Sequence, residues 1–245
     1  MRYYIDLNCD MGEGIGNDSG LIEYISTCSI ACGGHYGNRL SIEESIRLAQ
    51  IYQKNLGPHP SYADKEHFGR KSMKLSPEEF KDMLREQFSL FFGIAKELNA
   101  PVHHIKAHGA LYNDMFHNQE LCEHFLDTVN EYVDHCNIFC QPGSQLGKIA
   151  YGRDFEVIYE GFADRRYMAD GSLSSRSLPN AVITDVNELC QQVLNMVKNK
   201  QVFSIENSLV NLNIQTICLH GDNPKALQFA INLKRFLKEN NIEIV

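Results

Sequence analysis

The 245-residue chain lacks the features that mark membrane, secreted and nucleic-acid-binding proteins. Its apolar runs fall far short of the roughly 18–20 residues that a membrane span needs, and no Lys/Arg-rich run offers a footprint for nucleic acid. Asp6 stands where the apolar stretch of a signal peptide would run. Linkers, repeats and low-complexity tracts are also lacking. We therefore expect a soluble, cytoplasmic protein whose residues 1–245 form a single globular domain.

What the chain does contain is typical of a folded protein. Apolar residues make up 43% and charged residues 22% of it, which excludes disorder, collagen and coiled-coil arrays. There are 23 basic and 31 acidic residues, for a net charge of −8. Because no secretory signal accompanies the eight cysteines, we expect reduced thiols. The pairs Cys28/Cys32 and Cys136/Cys140 have three intervening residues rather than two, which argues against structural zinc.

Short apolar runs alternate with capped helical patterns along the chain. Ser76-Pro77-Glu78-Glu79 has a cap, a proline and an acid in the order that begins a helix, and Ser41, Asp185 and Asn223 precede similar patterns. Strands that alternate with helices predict a largely parallel sheet. The predicted strands are Tyr3–Leu7, Ile25–Ile30, Gln53–Pro58, Val102–Lys106, Asn137–Phe139, Glu156–Tyr159 and Gln215–Leu219.

A polar cluster follows most of these runs. In an α/β barrel the carboxyl ends of the strands meet on one face, where active sites are built. A doubly wound sheet would gather such loops at one switch point instead. A barrel is therefore favoured by the six clusters, which are Asn8–Gly16, Cys32–Asn38, His59–Asp64, His108–Asn113, Glu160–Gly171 and His220–Asp222.

Four histidines, His35, His59, His108 and His220, each stand beside Gly or Pro in a separate strand-end loop. One such histidine is more often structural, but four in four loops favour acid–base or ligand roles. Lys106 precedes His108 by two residues, so both should point to the same side of a strand. A buried lysine must be paired or used. It could stabilise an oxyanion or hold an anion, or it could form an ion pair with an acid of the first strand.

The segment Asp6–Gly14 combines three acids, an amide and two glycines. Strand alternation places Asp6, Asn8 and Asp10 on one face, where they could orient a substrate or bind a hard cation through oxygen. Solvated carboxylates at a barrel mouth are the alternative. Gly12 and Gly14 begin a loose G-x-G pattern, but the third glycine has the wrong spacing for a dinucleotide site.

Arginine side chains that could bind an anionic substrate follow the sixth predicted strand. Arg165 and Arg176 carry the planar fork that suits a carboxylate. Asp164 could be a base or the partner that holds Arg165. Motifs for other chemistry are missing: there is no G-x-S-x-G elbow and no H-E-x-x-H, and Gly143–Ile149 has one residue too few for a P-loop.

Taken together and in this order, the clusters resemble the LamB/YcsF lactam-utilisation family over nearly the whole chain. The chain departs from the family pattern at Asn38, where an acid is expected, at Lys65-Glu66-His67, and at Pro179-Asn180 in place of Pro-Gly. Asn38 puts a role for a carboxylate at that position in doubt. The matching segments are Asp6–Gly14, Ile30–His35, His59–Tyr62, Phe68–Arg70, Lys106–Asn113, Phe162–Arg165, Asp170-Gly171 and Ile217–Asp222.

The resemblance implies a TIM-like (β/α) barrel, seven-stranded as in the glycoside hydrolase and deacetylase fold. It also implies a hydrolase acting on a cyclic amide, the A subunit of a 5-oxoprolinase that opens 5-oxo-L-proline to L-glutamate with ATP and partner subunits B and C. Because no ATP motif is visible, our hypothesis is that the partners phosphorylate the lactam and this barrel opens it, although a nucleotide contact shared at the interface is equally open. The alternatives are a stand-alone metal-dependent deacetylase-like or carbohydrate-active hydrolase, and a non-catalytic scaffold that delivers the lactam.

The predicted site has a metal-free version and a metal-bound one. In the first, His108 or Asp10 transfers a proton and Lys106 stabilises negative charge; in the second, Asp10, His35 and His59 are ligands of a divalent metal ion. The predicted catalytic residues are Asp10, Glu13, His35, His59, Lys106, His108 and Asp164. The predicted substrate-binding residues are Asn8, Arg70, Tyr112, Arg165, Arg176, His220 and Asp222.

Overall fold

A computed structural model describes residues 2–134 and 136–245. Within these ranges no helix is both long and apolar enough to cross a membrane. The strands are β1 Tyr3–Met11, β2 Thr27–Ala31, β3 Asn55–His59, β4 His104–Lys106, β5 Asn137–Cys140, β6 Glu156–Phe162, β7 Gln201–Phe203, β8 Leu209–Asn211, β9 Thr216–Cys218 and β10 Ile242–Ile244. The helices are α1 Asp18–Leu21, α2 Arg39–Ile51, α3 Pro77–Glu97, α4 Gly109–Asp114, α5 Gln119–Asn130, α6 Gln145–Gly152, α7 Val186–Asn199 and α8 Ala226–Glu239.

Seven strands form a nearly closed parallel barrel in the order β3-β2-β1-β9-β6-β5-β4. The two end strands, β3 and β4, meet at a seam that hydrogen bonds span on both sides: the His103 N–H donates to the Leu56 carbonyl and the His108 N–H to the Pro60 carbonyl, both at 2.8 Å. The predicted TIM-like barrel is therefore confirmed. Two smaller pieces were not predicted, namely β10, which pairs with the start of β1, and the antiparallel β7–β8 pair.

Strand β1 has two chemically different faces. Ile5, Leu7, Cys9 and Met11 belong to the apolar core, and the intervening Asp6, Asn8 and Asp10 bond to polar groups of other barrel strands. This is the period of two that a strand imposes. The strand was predicted to end at Leu7, but it continues to Met11 because Asn8–Met11 pair with β2.

The first turns of the helices show how well local capping signals predict where a helix begins. The predicted caps Ser76 and Asp185 are confirmed by their hydrogen bonds to first-turn N–H groups. The predicted cap Ser41 is wrong: Asn38 caps α2, and Ser41 is the third helical residue that completes the capping box. An amide oxygen caps a helix as well as a carboxylate does, which accounts for Asn38 at this position. Helix α8 begins at Ala226, after a turn in which Asn223 accepts the Lys225 N–H.

The buried faces of the helices follow the apolar spacing less uniformly. Helix α3 buries Phe80, Leu84, Phe88, Phe91 and Ala95, which recur at spacings of three and four residues. In α8, Phe229, Leu233 and Leu237 face the core, whereas Leu227 is 37% and Ile231 43% exposed. The core face of α8 therefore follows the four-residue spacing of Phe229, Leu233 and Leu237.

The seam between β3 and β4 leaves no room for a side chain at Gly57. A Cβ there would overlap the carbonyl oxygen of His104. We expect Gly57→Ala to lower the free energy of unfolding by about 3 kcal/mol, since overpacking forces backbone shifts. Urea unfolding measures this loss. The matched control is Gly93→Ala on α3, where an added Cβ meets nothing within 4 Å and should stabilise the protein by about 0.5–1 kcal/mol. Equal stability of Gly57→Ala and the wild type would contradict the close approach.

Candidate active site

The carboxyl ends of the barrel strands surround a cavity of about 450 Å³. The structure brings most of the predicted site residues to its wall and leaves the others behind it. On the wall lie Asp10, His59, Arg70, Lys106, His108, Tyr112, Arg165, Arg176 and His220. Absent from the wall, and bonded to residues that line it or to the network behind it, are Asn8, Glu13, His35, Asp164 and Asp222.

Lys106 is the buried cation at the base of the cavity. Its Nζ lies 2.8 Å from Asp10 Oδ1, 2.8 Å from Glu160 Oε1 and 3.0 Å from Asn8 Oδ1. Cys218 Sγ is a fourth neighbour at 3.2 Å. An ammonium has three donors, so these neighbours engage all of them. Of the two interpretations of Lys106, the ion pair with a first-strand acid is the one that the structure shows.

This network fixes the charges of its members. Burial alone would lower the pKa of Lys106, but the charges of Asp10, Cys218 and Glu160 raise it well above its usual value. Burial would likewise raise the pKa of Asp10, but His59 and Lys106 hold it well below its usual value. Lys106 is thus an ammonium and Asp10 a carboxylate at neutral pH.

Two residues behind the wall hold Lys106 in place. Asn8 donates to Glu160 Oε1 at 2.9 Å and to Thr216 Oγ1 at 2.7 Å. With its oxygen accepting from Lys106, this amide is fully engaged, so it positions the lysine rather than facing the cavity. Glu160 is completely buried and was not predicted as a site residue. The signal was present: Glu160 begins the polar cluster that follows the run Glu156–Tyr159, and an acid buried at a strand end must be paired.

Three histidine rings pack together beside Asp10: His59 and His108 on the cavity wall and His35 behind it. His59 Nε2 lies 3.0 Å from His108 Nδ1 and 3.3 Å from Asp10 Oδ1. The His35 ring stacks on His108 with centroids 3.7 Å apart. His35 Nε2 is 2.9 Å from Glu13 Oε1, and its Nδ1 is 3.0 Å from the Ser61 hydroxyl. Burial lowers the pKa of His108 and, together with the charge of His59, that of His35 to about 3.

The loop Phe68–Arg70 packs against the His35 and His108 rings. The Phe68 carbonyl accepts from His108 Nε2 at 3.0 Å, and the Gly69 carbonyl accepts from the Ala110 N–H at 2.9 Å. Gly69 has φ +64°, and a Cβ there would lie 2.9 Å from His35 Cβ and 3.0 Å from His108 Cδ2. A glycine is required here both by its conformation and by the space. The contact of His108 with the Phe68 backbone could not be predicted from residue types.

The arginines form a second part of the cavity wall. Arg165 is 4% exposed, and its Nε has no hydrogen-bond partner among the described residues. Burial and the neighbouring charge of Arg176 lower the pKa of Arg165 to about 10. Asp222 pairs with Arg70 and lies 3.9 Å from Arg176. Arg165 is therefore a buried cation with a donor to spare, as an anion-binding site requires.

Asp164 is the partner of a histidine and not of Arg165. Its Oδ1 lies 2.8 Å from His220 Nδ1, and the His220 ring stacks on Phe162 with centroids 5.5 Å apart. The carboxylate holds the Nδ1 proton, so Nε2 is the nitrogen left for other contacts. His220 lines the cavity, where such a ring can give or take a proton.

Two groups of described residues have the composition of a metal site. The ligand atoms of Asp10, Glu13, His59 and His108 lie within 4.8 Å of one another, and so do those of Asp10, Cys218 and His220. The sequence predicted Asp10 and His59 for such a site. His35, the third predicted ligand, is in neither group because its Nε2 faces Glu13 from the other side.

The departures from the family pattern are tolerated by the backbone. Asn180, which replaces a glycine, has φ +60°, and asparagine adopts this left-handed conformation more readily than other side chains do. Its carbonyl accepts from Arg166 Nε at 2.9 Å. Lys65, Glu66 and His67 are exposed. None of these residues lines the cavity.

Comparisons with known proteins agree with this architecture. Residues 5–245 match the LamB/YcsF family model. The chain is 36% identical over 246 residues to the A subunit of 5-oxoprolinase from Pyrococcus abyssi, covering 98% of this chain and 96% of that protein. It is 39% identical over 240 residues to the A subunit of 5-oxoprolinase from Haemophilus influenzae, covering 98% of both. The crystal structure of a lactam utilization protein from Thermus thermophilus superposes with a TM-score of 0.89 at 30% identity, over 98% of both chains.

Proposed function

This chain belongs to the LamB/YcsF family, and on that premise we propose that it is the A subunit of an ATP-dependent 5-oxoprolinase. It opens the lactam of 5-oxo-L-proline to L-glutamate together with subunits B and C. The observation that carries the proposal is one cavity walled by both an acid–histidine cluster and a buried arginine with a free donor. The relatives, whose names are those of 5-oxoprolinase A subunits and of a lactam utilization protein, support the same substrate class.

The substrate is a five-membered lactam that carries a carboxylate. Arg165, a buried cation on the cavity wall, binds this carboxylate, and Arg176 adds a second charge beside it. The guanidinium fork matches a carboxylate in two hydrogen bonds. Bound in this way, the ring extends along the cavity toward Asp10 and His108.

Activation is needed because the lactam is an amide with little ring strain to release. Phosphorylation of the carbonyl oxygen turns the amide into an imidate-like electrophile that water can attack. The chain has no P-loop, so we assign phosphorylation by ATP to the partner subunits. This barrel then carries out the opening of the ring.

The residues on the wall divide the proton transfers between them. Of the predicted pair, Asp10 takes up the proton of the water that adds to the activated carbon, and His108 lies beside it on the cavity wall. The C–N bond then breaks as the ring nitrogen receives a proton from His220, which Asp164 holds at 2.8 Å. Hydrolysis of the acyl phosphate that remains releases phosphate and glutamate. Lys106 keeps Asp10 ionised throughout.

The test is a reconstitution. Glutamate should form from 5-oxo-L-proline only when this chain, both partner subunits and Mg-ATP are present. Hydrolysis of 5-oxoproline by the purified chain alone would contradict the division of labour, and deacetylation of sugar substrates without ATP would favour the stand-alone hydrolase. Full activity of an Asp10→Asn/His108→Ala double variant in the complex would reduce this chain to a scaffold.

Arg165 gives a separate prediction about binding. We expect Arg165→Ala to weaken substrate binding by about 2–4 kcal/mol, because it removes a charge-assisted pair from a partly dry pocket. Arg165→Lys should recover little of this loss, since a point charge cannot replace the fork. The KM of the reconstituted enzyme measures the effect, and Arg166→Ala is the control, because Arg166 pairs with Glu188 at the surface. A wild-type KM in both Arg165 variants would return this arginine to a structural role.

A further inference from the structure

The histidine cluster contains a gap in its hydrogen bonding. His59 Nδ1 lies 2.8 Å from the Lys106 carbonyl oxygen, and His108 Nε2 lies 3.0 Å from the Phe68 carbonyl oxygen. A carbonyl oxygen only accepts, so each of these nitrogens must carry the proton of its ring. In each neutral ring, the other nitrogen therefore carries a lone pair and no hydrogen. These two nitrogens, His59 Nε2 and His108 Nδ1, point at each other across 3.0 Å.

Two carboxylates aim at the same point. Asp10 Oδ1 is 3.3 Å from His59 Nε2, and Glu13 Oε1 is 3.4 Å from His108 Nδ1. All four side chains are at most 5% exposed. Four electron-pair donors therefore converge in a buried space, with no hydrogen supplied by the rings themselves. Either an additional proton or a cation must occupy this space, because facing lone pairs repel.

We propose that Asp10, Glu13, His59 and His108 bind a divalent transition-metal ion. Metal–ligand bonds of about 2.1 Å place neighbouring ligand atoms about 3 Å apart and opposite ones about 4.2 Å apart in octahedral coordination. The observed separations of 3.0 to 3.4 Å, with all ligand atoms within 4.8 Å, fit this spacing. Two imidazoles and two carboxylates suit Zn²⁺, Mn²⁺ or Fe²⁺. Such an ion would lower the pKa of a water bound at an open position.

The residues around these four side chains hold them in the orientation that metal ligands need. In metal sites, a ligating histidine usually donates its other N–H to a carbonyl or carboxylate, which fixes the orientation of the ring. Both His59 and His108 do so here. His35 positions Glu13 from behind at 2.9 Å. The second group, Asp10 with Cys218 and His220, is a poorer site because it offers three ligand atoms rather than four and shares Asp10 with the first.

Metal binding by the free chain tests this proposal without substrate, ATP or partner subunits, so its failure is distinguishable from failure of the proposed function. The chain is stripped with EDTA and titrated with Co²⁺, whose d–d absorption reports nitrogen and oxygen ligands. Competition with a chromophoric chelator gives the affinity. We expect one Co²⁺ per chain, displaced by Zn²⁺.

Three variants and one control complete the experiment. His59→Gln and the isosteric Asp10→Asn should bind Co²⁺ more than about 100-fold more weakly, and His35→Gln, which loses only a supporting contact, about 10- to 100-fold more weakly. His117→Gln is the control, because that side chain is 68% exposed and should leave the affinity unchanged. Circular dichroism confirms that each variant is folded. Absence of Co²⁺ bands in the wild type, or an equal affinity in folded Asp10→Asn, would overturn the proposal and assign the gap to a shared proton.

Discussion

Asp10→Asn and His108→Ala should each reduce turnover of 5-oxo-L-proline by about two to four orders of magnitude in the reconstituted enzyme. Both side chains line the cavity, and both belong to the cluster that activates water in the proposed reaction. Asn keeps the shape of Asp10 but loses its charge. Ala removes the His108 ring, together with its contact to Phe68. Steady-state release of glutamate measures kcat.

The interpretation of this loss depends on intact folding and assembly. Both variants should unfold cooperatively and co-purify with the partner subunits. His117→Ala, at an exposed position, should retain wild-type turnover. A drop of less than tenfold in folded, assembled Asp10→Asn would mean that its carboxylate neither activates water nor holds a group that does so.

Lys106→Met should lower the free energy of unfolding by about 3–5 kcal/mol, because it leaves two buried carboxylates without their cation. Asp10 and Glu160 are at most 4% exposed, and each lies 2.8 Å from Lys106 Nζ. Methionine fills much of the same volume, so little of the loss comes from packing. Urea unfolding at neutral pH gives the value.

A second substitution separates charge from shape. Adding Glu160→Gln to Lys106→Met removes one of the stranded charges and should return about 1–3 kcal/mol. Lys81→Met is the control, since its partner Asp127 is half-exposed and also pairs with Arg153; we expect a loss below about 1 kcal/mol there. If Lys106→Met is no more costly than Lys81→Met, the network contributes little to folding.

The sequence predicts the barrel because each strand carries its own signal. Seven short apolar runs alternate with capped helices, and all seven correspond to barrel strands. Period-two alternation in β1 also places Asn8 and Asp10 together. Element ends were less accurate: Asn38 rather than Ser41 caps α2. Both residues can accept from first-turn N–H groups, and only the fold determines which of them begins the helix.

The sequence predicts which residues belong to the site, but not which of them form hydrogen bonds or ion pairs with one another. His59, His108 and Arg165 follow from polar residues at strand ends. Their partners do not, since Glu160 and the Phe68 carbonyl reach the site through the three-dimensional arrangement of distant segments. Asp164 shows the same limit: the sequence left it as a base or as the partner of the adjacent Arg165, and in the structure its partner is the distant His220.

The seam between β3 and β4 also connects the candidate site to the closure of the barrel. Strands β3 and β4 are not joined by ladder pairing, and the His59 ring bonds across them to the Lys106 carbonyl at 2.8 Å. The His59 ring therefore both lines the cavity and helps to hold β3 and β4 together. Whatever binds the closed form more tightly than an opened one holds the seam shut by that difference in affinity. By thermodynamic reciprocity, tightening the seam strengthens that binding equally, so occupancy of the cavity and closure of the barrel form a single equilibrium.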